Sequence, residues 1–187
     1  EHIVTGEASP LYIFNPLAPK RMARMVPGVK IVVLLRDPVA RAISHYFHEC
    51  RAGREHLDMK SAFLAEESRL QTALSESRFK SPEYIHFSYK NRGLYKKQLD
   101  RYFQLFPKNQ IHIINSEDFF QNPENTLRSL FSFIGVDEEI ALSDLSARNV
   151  NSDKNESNTG ILSYLEDYFW QEKEDIYNEI GIDLNRK

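Results

Sequence analysis

The chain has 187 residues, 41% of them hydrophobic and 27% charged, with a net charge of −3. That is apolar enough for one packed core and unlike a disordered segment, and no apolar run approaches the roughly 20 residues that span a bilayer. The single cysteine, Cys50, excludes an internal disulfide and a cysteine-based metal cluster, so a reducing compartment is the default.

In chain order, residues 16–25 read as a helix, punctuated by Pro27 and Gly28. Lys30–Arg36 (KIVVLLR) is a continuous apolar run of strand length, the pattern of a parallel strand buried on both faces. Asp37 is an N-cap followed by Pro38 at the first helical position, opening a helix to about Ala52. Its stripe Val39, Ile43, Tyr46, Phe47 and Cys50 is expected to face the core. Helices are predicted over 60–74 and 92–106, then a second strand over 110–115 (QIHIIN). Asn122-Pro123 opens a helix to Ile134, stopped by Gly135. Residues 143–157 are polar and Asn-rich and read as a loop, and 159–180 as a long amphipathic helix carrying Leu162, Leu165, Tyr168, Phe169, Ile176 and Ile180. Strands alternating with helices predict an α/β fold with a parallel sheet, in a single domain over 1–187. Two strands are few for such a sheet, so a further strand is expected before Glu1.

Charge is distributed unevenly. Residues 17–54 hold eight basic side chains against Asp37 and Glu49, whereas 55–187 hold sixteen basic against twenty-three acidic. A basic segment in an acidic chain points to a localised anion site, while a nucleic-acid binder is usually basic throughout. A solvated basic helix face is the plainer alternative.

The stretch RDPVARAISHYFH (36–48) carries the chemistry. Arg36 ends the first strand, where open α/β sheets bind ligands, and a guanidinium there offers a planar, permanently charged fork to phosphate oxygens. Arg41, Ser44 and His48 recur at i, i+3 and i+7, so they share the helix face opposite the apolar stripe. Such a strip suits anion binding and proton transfer, and it also suits a merely solvated helix face.

The run KIVVLLRDPVARAISHYFH resembles the 3′-phosphate-binding strand and helix of sulfotransferases that use 3′-phosphoadenosine 5′-phosphosulfate (PAPS). It is nearest to the heparan sulfate N- and 3-O-sulfotransferases and related bacterial enzymes. The resemblance implies a P-loop-like three-layer fold, a central parallel sheet flanked by helices, with Arg36 and Ser44 on the 3′-phosphate. Gly6-Glu7-Ala8-Ser9-Pro10-Leu11-Tyr12 is similar to the family's Glu-x-(Ser/Thr)-x-x-Tyr segment, which makes Glu7 the candidate base. His48 matches a histidine near the reaction centre of the N-sulfotransferases. Residues 93–99 through Ile113, and Ser116-Glu117-Asp118, resemble the family's next helix–strand unit, with Tyr95 a candidate to pack on the nucleotide.

The chain departs from the pattern in two places. The opening strand and Lys-x-Gly-Thr-type loop for the 5′-phosphosulfate are absent from these residues, as is any GxxxxGK[ST], so both are expected before Glu1. The cysteine-flanked loop of the heparan sulfate enzymes has no counterpart, and Arg148 and Lys154 are its nearest substitutes.

The resemblance implies in-line sulfuryl transfer from PAPS to a hydroxyl or amine, leaving PAP, with no metal. A base is needed on the acceptor side and cationic groups on the leaving side. A nucleotide-binding module of the same fold without transfer, and a kinase-like phosphotransferase, are the alternatives. The acceptor is expected to be a small molecule or a glycan, not a nucleic acid. Residues 78–101, with seven basic side chains against Glu83 and Asp100, are either an attractor for an acidic glycan or a solvated surface. The resemblance implies a cytoplasmic location for a bacterial enzyme, or the Golgi lumen as part of a membrane-anchored eukaryotic one.

Overall fold

The computed structural model describes residues 4–138 and 159–185. The order is α1 (Ala18–Met25), β1 (Ile31–Leu35), α2 (Pro38–Arg51), α3 (Met59–Ser75), α4 (Pro82–His86), a 3-10 turn (Asn91–Gly93), α5 (Tyr95–Phe103), a second 3-10 turn (Lys108–Gln110), β2 (Ile111–Asn115), α6 (Ser116–Gln121), α7 (Pro123–Ile134) and α8 (Thr159–Ile180). The described residues fall into two compact units, the first from residues 4–35 and 97–138, the second from 36–96 and 159–185.

The first unit holds the sheet. β1 and β2 pair in parallel, Ile31 opposite Ile111 through Leu35 opposite Asn115. Ile31, Val33 and Leu35 are buried, but Leu34 is 55% exposed, so β1 is not covered on both faces as its apolar run predicts. Asn115 ends β2 and caps α6 without a loop, its side chain accepting from the Glu117 amide at 3.0 Å. Lys30 Nζ donates to the Phe133 carbonyl at 2.5 Å, tying the start of β1 to the end of α7. Gly135 ends α7 at φ 82°, a left-handed conformation that suits glycine.

The second unit packs α2, α3 and α8 around Val39, Ala42, Tyr46, Ala62, Phe63, Tyr89, Ile161, Leu165 and Phe169. Asp37 caps α2 as predicted, accepting from Val39 N at 3.4 Å and Ala40 N at 2.9 Å. The buried face of α2 is rotated from the predicted stripe. Ala42 and Glu49 are buried with Val39 and Tyr46, while Ile43, Phe47 and Cys50 are only partly covered. The helix predicted over 92–106 is interrupted at Leu94, leaving the 3-10 turn and α5. Gly93 explains the break, since a Cβ there would lie 2.7 Å from Phe169 Cε1 and 3.0 Å from Pro38 Cβ. Chain approach that close needs glycine, which favours a turn over a helix. The short helices α4 and α6 carry too few residues for a periodic signal, and sequence reasoning misses them. The expected loop 143–157 lies outside the described residues.

Candidate active site

Arg36 follows β1 directly and is exposed. Its backbone carbonyl accepts the Tyr95 hydroxyl at 3.0 Å, while its guanidinium makes no hydrogen bond or ion pair with any described residue. The main chain of this arginine is anchored and its charge is left open. Ser44 lies half-buried two turns into α2, and its hydroxyl bonds to no described residue. Tyr95 is 5% exposed, so little of its ring is open to stacking and its hydroxyl serves the Arg36 turn. Burial raises the Tyr95 pKa, which keeps the hydroxyl a donor.

Arg41, one turn from Arg36, does not join a solvated strip. It is turned inward, its Nη2 donating to the Tyr89 carbonyl and its Nε buried with no hydrogen-bond partner among the described residues. Desolvation lowers its pKa and the Arg36 charge adds to that, with Tyr95 and Glu66 opposing. A guanidinium stays charged despite such a shift, so Arg41 supplies a fixed positive field beside Arg36. The 89–91 segment that receives it is itself held. Glu66, 1% exposed, accepts from Lys90 N at 2.6 Å and Asn91 N at 2.8 Å, and the Tyr89 hydroxyl donates to Glu55 at 2.8 Å. This second scaffold behind α2 rests on contacts between residues far apart in the chain, which local sequence patterns do not reveal.

His48 is exposed, its side chain 65% accessible, with Nε2 3.9 Å from Glu49 Oε1. Glu49 is buried and is also met by Arg54 Nε at 2.5 Å, His86 Nδ1 at 3.3 Å and His45 Nε2 at 3.5 Å. The His45 contact is not an ion pair, because burial, then Arg92 and Arg41, push its pKa down to about 2. Below the ordinary value of 6.5 the unfolded chain binds a proton at His45 that the folded chain refuses, so stability falls as pH drops through that window. Urea unfolding of His45→Phe from pH 6 to pH 4 is expected to lack a slope of about 1.4 kcal/mol per pH unit present in the parent chain. Parallel curves for the two proteins would show that His45 titrates normally.

Glu7 belongs to the first unit. It is exposed and accepts a hydrogen bond from the Tyr12 hydroxyl, which raises the tyrosine pKa. The spacing of the Glu-x-Ser-x-x-Tyr segment has a local cause. Ser9 accepts from Leu11 N on Oγ and from Tyr12 N on its carbonyl, both at 3.3 Å, and the resulting turn brings Tyr12 back to Glu7. The Tyr12 carbonyl accepts from Tyr102 at 2.7 Å, tying that turn to α5. Arg148 and Lys154 lie outside the described residues. The basic stretch 78–101 is not an open surface throughout: Lys90 is buried with Nζ 2.9 Å from the Tyr164 hydroxyl, Arg92 donates to the Ile85 carbonyl at 2.5 Å, and Lys96 pairs with Glu179 at 2.8 Å. Among the described residues no three His, Cys, Asp or Glu side chains are placed to hold a metal ion, and no helix is long and apolar enough to cross a membrane.

Residues 10–176 match the sulfotransferase domain. The chain belongs to that family. A sulfotransferase from Alicyclobacillus acidocaldarius has the same fold, with a TM-score of 0.75 and 31% identity, covering 96% of this chain and 65% of that one. The fold is thus the P-loop-like α/β fold of sulfotransferases. The membrane-associated sulfotransferase kil1 of Dictyostelium discoideum is 28% identical over 96% of this chain and 52% of its own length. The bifunctional heparan sulfate N-deacetylase/N-sulfotransferase 1 of Caenorhabditis briggsae is 32% identical over 74% of this chain and 16% of its own. The heparan sulfate glucosamine 3-O-sulfotransferase 5 of Mus musculus is 26% identical over 74% and 38%. The chain therefore spans about half the length of kil1 and less of the two heparan sulfate enzymes.

Proposed function

We propose that the protein containing this domain transfers a sulfuryl group from PAPS to a hydroxyl or amine acceptor and releases PAP. The observation that carries this is Arg36. Its main chain is fixed by Tyr95 and by the capped start of α2, while its guanidinium has no partner among the described residues. An exposed cation held in place without a carboxylate is pre-organised for an anion. Ser44 offers an uncommitted hydroxyl to the same phosphate, and the buried Arg41 charge favours a dianion nearby.

On the acceptor side, Glu7 takes the proton from the attacking hydroxyl or amine as its bond to sulfur forms and the bond from sulfur to the 5′-phosphate oxygen breaks. His48, exposed and beside Glu49, donates a hydrogen bond from its ring N–H to the sulfuryl oxygens. The heparan sulfate relatives support a glycan amine or hydroxyl as acceptor, and a small alcohol fits the same chemistry. Transfer of radiolabelled sulfate from PAPS to an N-desulfated glycan, an O-desulfated glycan and a small alcohol separates the three.

Arg36→Ala is expected to weaken PAP binding by about 1.5–3 kcal/mol, the range for a hydrogen bond to a charged group. Calorimetric titration of the full-length protein checks this. Unchanged affinity would remove Arg36 from the site and the 3′-phosphate reading with it.

A further inference from the structure

The turn that carries Arg36 is held by the last helix of the same unit. Lys173, in the middle of α8 and 5% exposed, places Nζ 2.9 Å from Asp37 Oδ1 and 2.7 Å from Glu166 Oε2. Burying an ammonium is costly unless its charge is met. Here desolvation opposes the charge, but Asp37 and Glu166 outweigh it and the lysine pKa is raised. Asp37 needs no lysine in order to cap α2, because it already accepts from two amides. The ion pair adds a different constraint, tying the residue after Arg36 to α8.

Two more α8 contacts act on the same turn. The Phe169 ring and Pro38 Cβ both border the space at Gly93, where a Cβ would lie 2.7 Å from Phe169 Cε1 and 3.0 Å from Pro38 Cβ. Glu172 accepts from Lys96 N at 2.5 Å, which fixes the start of α5, and Tyr95 at that start bonds the Arg36 carbonyl. Arg36 and Asp37 are thus each braced from outside α2, and α8 supplies or supports both braces.

We propose that Lys173 is a positioning residue for recognition of the 3′-phosphate, acting through Asp37 to set the direction from which Arg36 meets it. The inference rests on the PAPS reading above. Lys173 is not itself a phosphate ligand, since its ammonium is buried between two carboxylates.

The test compares adenosine 3′,5′-bisphosphate (PAP) with AMP, which lacks the 3′-phosphate, by calorimetry on the full-length protein. Lys173→Met is expected to lower PAP affinity about tenfold, the loss of one charge-assisted contact, and to leave AMP affinity unchanged. A merely structural lysine would weaken both ligands together or neither, and either result overturns the proposal. A parent protein that binds PAP and AMP equally would instead overturn the 3′-phosphate reading, and the inference with it. Should Lys173→Met show no cooperative thermal transition, Asp37→Asn carries the test. Asparagine caps a helix about as well as aspartate but does not neutralise Lys173, so the same selective loss of PAP affinity is expected. An unchanged PAP-to-AMP ratio in that variant overturns the proposal equally.

Discussion

Glu7→Gln is expected to lower turnover about 10²–10⁴-fold, the usual contribution of a positioned general base, while PAP affinity stays at the parent value. The substitution keeps an oxygen that accepts from Tyr12, so the turn over residues 9–12 survives and only the basicity is lost. Steady-state kinetics with PAPS and whichever acceptor the transfer panel identifies, set beside PAP calorimetry, make the separation visible. Full turnover in Glu7→Gln would exclude it as the base and move the role to His48. Tyr12 sharpens the expectation, because a carboxylate held by one phenol points its remaining lone pairs in a restricted set of directions.

Glu55→Gln is expected to cost about 3–5 kcal/mol of stability, the range for breaking a buried ion pair from one side. The Glu55 carboxylate accepts from Arg69 Nη1 at 2.5 Å and Nη2 at 3.1 Å, from His56 N and Leu57 N at 2.9 Å each, and from the Tyr89 hydroxyl at 2.8 Å. An amide cannot serve five donors, and one of its two heteroatoms becomes a donor facing others. Burial alone would raise the Glu55 pKa, but Arg69, the Leu57 amide and Tyr89 hold it at about 2. Between that value and the ordinary 4.5 the unfolded chain binds the extra proton. The carboxylate's contribution is therefore full above 4.5 and is lost as pH falls toward 2. Urea unfolding at neutral pH and through the acid window checks both statements. A loss below about 1 kcal/mol, the range of an exposed pair, would show that Glu55 is not a strong anchor. The effect reaches the site through Tyr89, whose carbonyl receives Arg41.

Much of this is legible in the sequence. The strand run 30–36, the Asp37-Pro38 helix start, the Asn122-Pro123 start and the Gly135 stop are signals between chain neighbours, and each element lies within a residue or two of its expected bounds. Arg36 after a strand and Ser44 two turns into the next helix are legible for the same reason. The side-chain environments were not. Helical spacing places Arg41, Ser44 and His48 on one face, yet Arg41 turns inward to a carbonyl 48 residues away. The apolar stripe drawn for α2 misses Ala42 and Glu49, because small size and charge hide burial from a hydrophobic pattern.

Sequence alone determined the order of the main elements, through short-range preferences of the backbone, and its resemblance to a family nominated the arginine and serine of a phosphate site. Tertiary structure decided which charges are free and which are spent. Among the described residues Arg36 is open, while Arg41, Lys90, Lys96 and Lys173 are engaged with groups far along the chain. A residue's charge is written in its side chain, but its availability depends on whether folding brings a carboxylate, a carbonyl or an aromatic ring within reach.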